Sequence, residues 1–362
     1  MNSDKYIEFR CLEVEQPIGN FYIGAIEAQD LVDISYADIH RIEERDIEKV
    51  VGIERPLQGS RVSELKDYVK TVDASFPTSI ILAIKSKDAD YNPKTGIMRI
   101  PRKQQVAQII DGQHRIAGLR DFEGKFQINI TVFVDMDLED KAMVFATINL
   151  KQTKVSKSLA YDLYEFASTP SPQKTCHNIA KLLNIKKGSP FEGKIKILGS
   201  ATGKPFETLT QATFVERLLR YISENPMRDR DLLKRGKKLG KVEISDTRLI
   251  FRNLFIDEKD AEIARILYNY FGAVAKKWGD AWYTKESGKI LSRTTGFTAL
   301  MRFLRDVYIS FQKPDKVIST SEFDTVFSGI KLKESDFTSE RYNPGSMGEG
   351  ALYKDLLKYL GV

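Results

Sequence analysis

The stretch IIDGQHRIAGLR, residues 109–120, gathers an acid, two glycines, an amide, an imidazole and two guanidinium groups within the ten positions from Asp111 to Arg120. It follows an apolar run that includes Val106, Ile109 and Ile110. Two roles fit such a cluster where a strand feeds a helix. Asp111 can be the N-cap of a tight turn and nothing more. Alternatively, the free N–H groups of the first helical turn and the positive end of its dipole form an anion site, with His114 and Arg115 attached. Gly112 permits a backbone that a side chain would oppose and lets a ligand come close. Gly118, one helical turn after His114, keeps space beside the imidazole. Arg115 can hold phosphate oxygens with two parallel donors. Asp111 is awkward here, because a carboxylate repels phosphate unless magnesium lies between them or the acid faces a sugar or an attacking hydroxyl. The anion reading therefore expects a metal-dependent site.

The elements that must position these groups are legible in the hydrophobic pattern. The first half mixes strand-like runs, NFYIGAI (20–26), TSIILAI (78–84) and QINITVFV (127–134), with short helical stretches. GIMRIPRKQQVAQII (96–110) predicts two strands joined by a polar turn at Pro101 to Lys103, the second ending in the motif. Beyond about residue 155 the period becomes helical, in SKSLAYDLYEFAS, FVERLLRYISE, DAEIARILYNYFGAVAKKW and GFTALMRFLRDVYISF. The segment 169–205, rich in Lys, Gly, Ser and Pro, reads as a linker region. Two phosphate-loop spacings are surface turns on this reading. GSPFEGKI (188–195) has Ile195 where a Ser or Thr must reach magnesium, and GSATGKP at 199 is one residue short.

The chain has 362 residues, enough for two domains, with 42% hydrophobic residues and a net charge of +6. No apolar run approaches the length of a membrane span, and the opening MNSDKYIEFR lacks the apolar core of a signal peptide, so a cytoplasmic protein without a membrane partner is expected. Cys11, Cys176, His40, His114 and His177 offer no metal-ligand spacing, so no protein-held zinc site is expected. RDRDLLKRGKKLGK (228–241) carries seven Lys or Arg and two Asp. With its two glycines it reads as an exposed loop, either solubilising or laid against nucleic-acid phosphates through Arg235, Lys237, Lys238 and Lys241.

DGQHR followed by x-x-G resembles the DGQHR-domain family, whose best-known members are the DndB proteins of bacterial DNA phosphorothioation clusters, and more distantly the ParB and sulfiredoxin superfamily. ERPLQGSRVSELKDYV (54–69) is similar to the segment that precedes the first core strand in such proteins. FATINLKQTKVSKSLAYDL (145–163) is similar to the F-x-x-I-N-x-x-Q-x-x-V-x-x-S-L element that follows the motif. The resemblance implies a nucleotide pocket for a nucleoside triphosphate, ATP first, with magnesium. Asp111 and His114 would carry chemistry, and Arg61, Gly112, Gln113, Arg115, Asn149 and Gln152 would bind the nucleotide. A plain alternative stands beside each: Asn149 can cap the helix that ends near Leu150, Gln152 and Ser158 can satisfy loop backbone, and Arg61 can be a surface helix residue.

The expected fold is α+β, a ParB/sulfiredoxin-like mixed sheet with flanking helices over 1–168, then the linker and an α-helical domain over 206–362. The expected function is a nucleotide-binding, ATP-hydrolysing component of a DNA modification or phage-defence system. The alternative is a DndB-like transcriptional regulator of phosphorothioation genes, and a weaker one is a small-molecule kinase. Expected partners are DNA and other proteins of such a cluster, with homo-oligomerisation open.

Overall fold

The computed structural model describes residues 5–37, 59–150, 169–197, 207–243 and 248–360, with the single positions 158, 161, 164 and 167. The chain divides into two units, Met1–Gln152 and Thr153–Val362. Together they are α+β, a mixed sheet followed by a helical region.

In the first unit the strands β1 (Tyr6–Gln16), β2 (Gly19–Glu27), β3 (Ser35–Tyr36), β4 (Ile80–Ile84), β5 (Asp90–Asn92), β6 (Ile97–Pro101), β7 (Ala107–Asp111) and β8 (Gln127–Val134) form one sheet. Their order is β3-β7-β4-β8-β2-β1-β6-β5. Two-residue alternation fixes the register of β1: Ile7, Phe9 and Cys11 are buried, while Glu8 and Arg10 face out. β4 is nearly all apolar, as a central strand should be. It runs parallel to β8, with Ile80, Leu82 and Ile84 opposite Ile130, Val132 and Val134, and antiparallel to β7. The helices are α1 (Ala28–Ile34), α2 (Gly59–Tyr68), α3 (Gln113–Leu119) and α4 (Leu138–Leu150). Leu31 and Ile34 of α1 and Ile116 and Leu119 of α3 close one face of the sheet over those strand residues.

The second unit contains α5 (Pro172–Ile185), α6 (Gln211–Leu219), α7 (Pro226–Lys234), α8 (Arg252–Ile256), α9 (Asp260–Lys277), α10 (Gly279–Tyr283), α11 (Thr294–Ser310), α12 (Thr320–Ser328) and α13 (Ser346–Leu357), with two short parallel strands, β9 (Ile195–Lys196) and β10 (Leu209–Thr210). Aromatic rings fill its core: Phe191 lies 4.7 Å from Phe271 and 5.3 Å from Phe214, between ring centroids.

Three expectations change here. The segment expected as a linker holds α5, where Ser171 accepts from Lys174 N, Pro172 occupies the first turn, and Cys176, Ile179, Ala180 and Leu183 join the helical core. Its Lys and Ser residues had concealed that stripe. GSPFEGKI is a turn but not a surface one, since Ser189, Phe191, Lys194 and Ile195 are buried. The basic run is helical up to Lys234, because Asn225 accepts from Arg228 N and Pro226 stands at the first position.

Candidate functional site

At the end of β7 the chain turns into α3 through Gly112, whose φ of 108° lies in the left-handed region. Gly112, not Asp111, is the N-cap, and it has no side chain to offer the first-turn N–H groups. Asp111 is the last residue of the strand, opposite Ile81 and beside a bulge between Ile81 and Leu82 in β4. A Cβ on Gly112 would lie 2.9 Å from Ile80 Cγ1, so the glycine answers backbone conformation and packing rather than an open cradle. Gln113 and His114 occupy the first turn of α3, both half-buried.

Arg115 is committed to the protein itself. Its Nη1 donates to Thr78 O and, at 3.0 Å, to Thr78 Oγ1, and its Nη2 donates to Ser79 O at 3.1 Å and Asp111 Oδ2 at 3.3 Å. Burial lowers the guanidinium pKa below the usual arginine value, with Asp111 beside it acting in the opposite direction. The clamp ties the segment before β4 to the strand end. It also resolves the awkward acid, since Arg115 rather than a metal faces Asp111. Among the described residues no cluster of three or more His, Cys, Asp or Glu could hold a metal ion. The donor set here suits phosphate oxygens, with any magnesium carried on the phosphates.

Gly118 has a different role from the expected one. A Cβ there would lie 2.7 Å from Leu65 Cβ, so the glycine lets α2 cross α3 closely. Arg61 stands on the α2 turn before that contact and is half-buried. Asn149 lies in the last turn of α4, and Gln152 lies outside the described residues. Ser158 does satisfy backbone: it is buried and its Oγ accepts from Ala212 N at the start of α6. The sequence reading missed Gln108 and Lys141. Lys141 Nζ donates to Gln108 Oε1 at 2.7 Å and fastens α4 to β7. An amide inside the apolar run VAQII was the available signal.

The basic run is partly neutralised. Arg235 pairs with Asp231 at 3.0 Å and Lys241 with Asp257 at 2.7 Å. Asp229 faces inward, accepting from Ser223 Oγ and from Arg252 Nη1 at 2.6 Å. Beyond Gly236, left-handed at φ 69°, Lys237 and Lys238 are exposed. No described helix is long and apolar enough to cross a membrane.

A family model described as DndB, DNA-sulfur modification-associated, matches residues 9–204, just over half of the chain, with the Asp111 to Arg115 turn inside the match. No curated protein and no solved structure matches the chain. The chain belongs to the DndB family of DNA-sulfur modification-associated proteins.

Proposed function

We propose that the protein is a nucleotide-binding, DNA-contacting component of a DNA-sulfur modification system, with the turn from β7 into α3 as its nucleotide site. The observation that carries this reading is the start of α3: a helix without a side-chain cap at the end of a strand, bearing half-buried Gln113 and His114. The first-turn N–H groups and Gln113 hold phosphate oxygens, and His114 moves a proton at an attacking water, the step that makes the site a triphosphatase. Asp111, paired with Arg115, keeps the turn in shape. Arg61, Asn149 and Gln152 close the site around sugar and phosphates. Magnesium bound with the triphosphate supplies charge neutralisation.

Calorimetry with ATP, CTP and GTP, with and without magnesium, tests the site. Gln113→Ala and His114→Ala should each weaken binding by roughly tenfold, the order expected for a hydrogen bond to a charged group, at an unchanged melting temperature. Arg115→Ala is a poor probe, because it also releases Thr78 and Ser79. No binding at millimolar triphosphate would sink the nucleotide reading.

A second reading, a DNA-binding regulator of modification or phage-defence genes, is favoured by the exposed Lys237 and Lys238. In it the basic segment after α7 contacts DNA phosphates and the motif senses a ligand.

A further inference from the structure

The second unit holds a groove of about 670 Å³ that neither the turn motif nor the basic run explains. It lies between the C-terminal half of α11, the turn that follows, and α13, and its walls include Arg305, Tyr308, Ile309, Pro314, Tyr353 and Leu357. That is the size of a small-molecule site, and its surface is mostly apolar.

The walls are built and not merely left open. Tyr353 is fixed by its OH, which donates to Asp306 Oδ2 at 2.7 Å, and by Arg302 stacked on its ring at 4.1 Å. The turn holds two non-glycine residues in the left-handed region, Gln312 at φ 52° and Asp315 at φ 57°. Tyr308 OH donates to Lys316 O, and Asn253 Nδ2 donates to Asp315 Oδ2, which pins that conformation. Arg305 Nη1 donates to Asp306, yet the Arg305 Nε–H is buried without an acceptor. A desolvated donor at a groove wall calls for an acceptor from an occupant.

The charges say which kind of occupant. Glu243 and Asp306 balance Arg305 and Lys313 on the lining, and Lys313 is itself paired with Glu322 at 2.7 Å, so the groove has no preference for a polyanion. A planar body with apolar faces and acceptors on its edge fits these walls, and that is the chemistry of a nucleobase. The phosphates have a place beside it, because Glu243 closes the same segment that carries Lys237 and Lys238.

We infer that this groove takes one unstacked base of single-stranded DNA, with Arg305 Nε–H donating to the base edge and the strand's phosphates on the segment of Lys237 and Lys238. The inference rests on the DNA-contacting reading above and names the form of DNA taken. Fluorescence anisotropy on the full chain, with a short labelled single strand and the matching blunt duplex, tests it. Leu357→Trp fills the groove, and Arg305→Lys keeps a cation beside Asp306 but removes the Nε–H. Each should weaken single-strand binding about tenfold, the scale of losing one stacked base, and leave the duplex unchanged. The double variant Lys237→Ala, Lys238→Ala should weaken both. A strand bearing 5-iodouracil should photocrosslink to the peptide of Tyr308 or Tyr353. Should Leu357→Trp not fold, Arg305→Lys and the crosslink decide. Single-strand binding that ignores the groove variants but falls with the lysine variant, or crosslinks found only elsewhere, overturns the groove assignment and leaves the DNA reading standing. If neither form of DNA binds, both fall.

Discussion

Lys194, only 2% exposed, donates from Nζ to Trp282 O at 3.0 Å and lies 4.9 Å from the centre of the Tyr283 ring. Burial pushes its pKa down from 10.5 to about 8. The unfolded chain therefore holds a proton between about pH 8 and 10.5 that the folded chain has lost, so stability rises with pH across that window, by about 3 kcal/mol at most. Above about pH 10 the trend should reverse, because burial raises the pKa of Tyr221, Tyr270 and Tyr308 and the unfolded chain ionises first. Melting temperatures from pH 7.5 to 9.5 should climb for the wild type and stay nearly flat for Lys194→Met; parallel profiles would show that the lysine does not set the slope. Arg115 is the other residue whose role its surroundings decide, since every printed donor contact of its guanidinium stays within the protein.

Among the elements, the pair of α2 and α3 determines how the motif is presented. Gly118 lets the two helices approach, and Lys66 of α2 reaches Asp121 just past the end of α3. Gly118→Ala puts a Cβ 2.7 Å from Leu65 Cβ. The expected result is a loss of about 1–3 kcal/mol from overpacking, reduced by up to about 1 kcal/mol from the better helix propensity of alanine. Gly240→Ala, with nothing within 4 Å of the new Cβ, is the control and should be near neutral. Urea denaturation of both variants reads the difference, and equal midpoints would mean that α2 yields without cost. In α7 the helix turns Asp229 inward to Arg252, so truncating this run would remove an internal ion pair as well as surface charge.

At the scale of the whole molecule, each unit has its own hydrophobic core. One runs from Ile7 to Val132, and the other from Cys176 to Leu356. A fragment spanning 153–362 is therefore expected to fold alone, with a cooperative melt and the near-ultraviolet dichroism of Trp278 and Trp282, both fully buried. A fragment that is helical but melts without cooperativity would show that the helical unit needs the sheet.

The sequence by itself determined the strands of the first unit and the long helices of the second. TSIILAI and QINITVFV are apolar and β-branched, and α9 and α11 repeat apolar residues at three-and-four spacing, which are local signals. The alternation of Ile7, Phe9 and Cys11 in β1 was equally legible, though the reading passed over it. DGQHR with its flanking segments pointed to the family, because a motif of that density is a property of the chain alone. Only the tertiary structure decided what the motif's side chains touch. Thr78 and Ser79 stand far along the chain from Arg115, and Leu65 is as far from Gly118, so no local pattern could show that the arginine is a clamp or that the glycine is a helix contact. Asp229 likewise looks like one charge in a basic run until Arg252, from another helix, meets it at 2.6 Å. Composition marks a charge, but burial and a partner distant in sequence decide whether that charge faces a ligand or holds the fold.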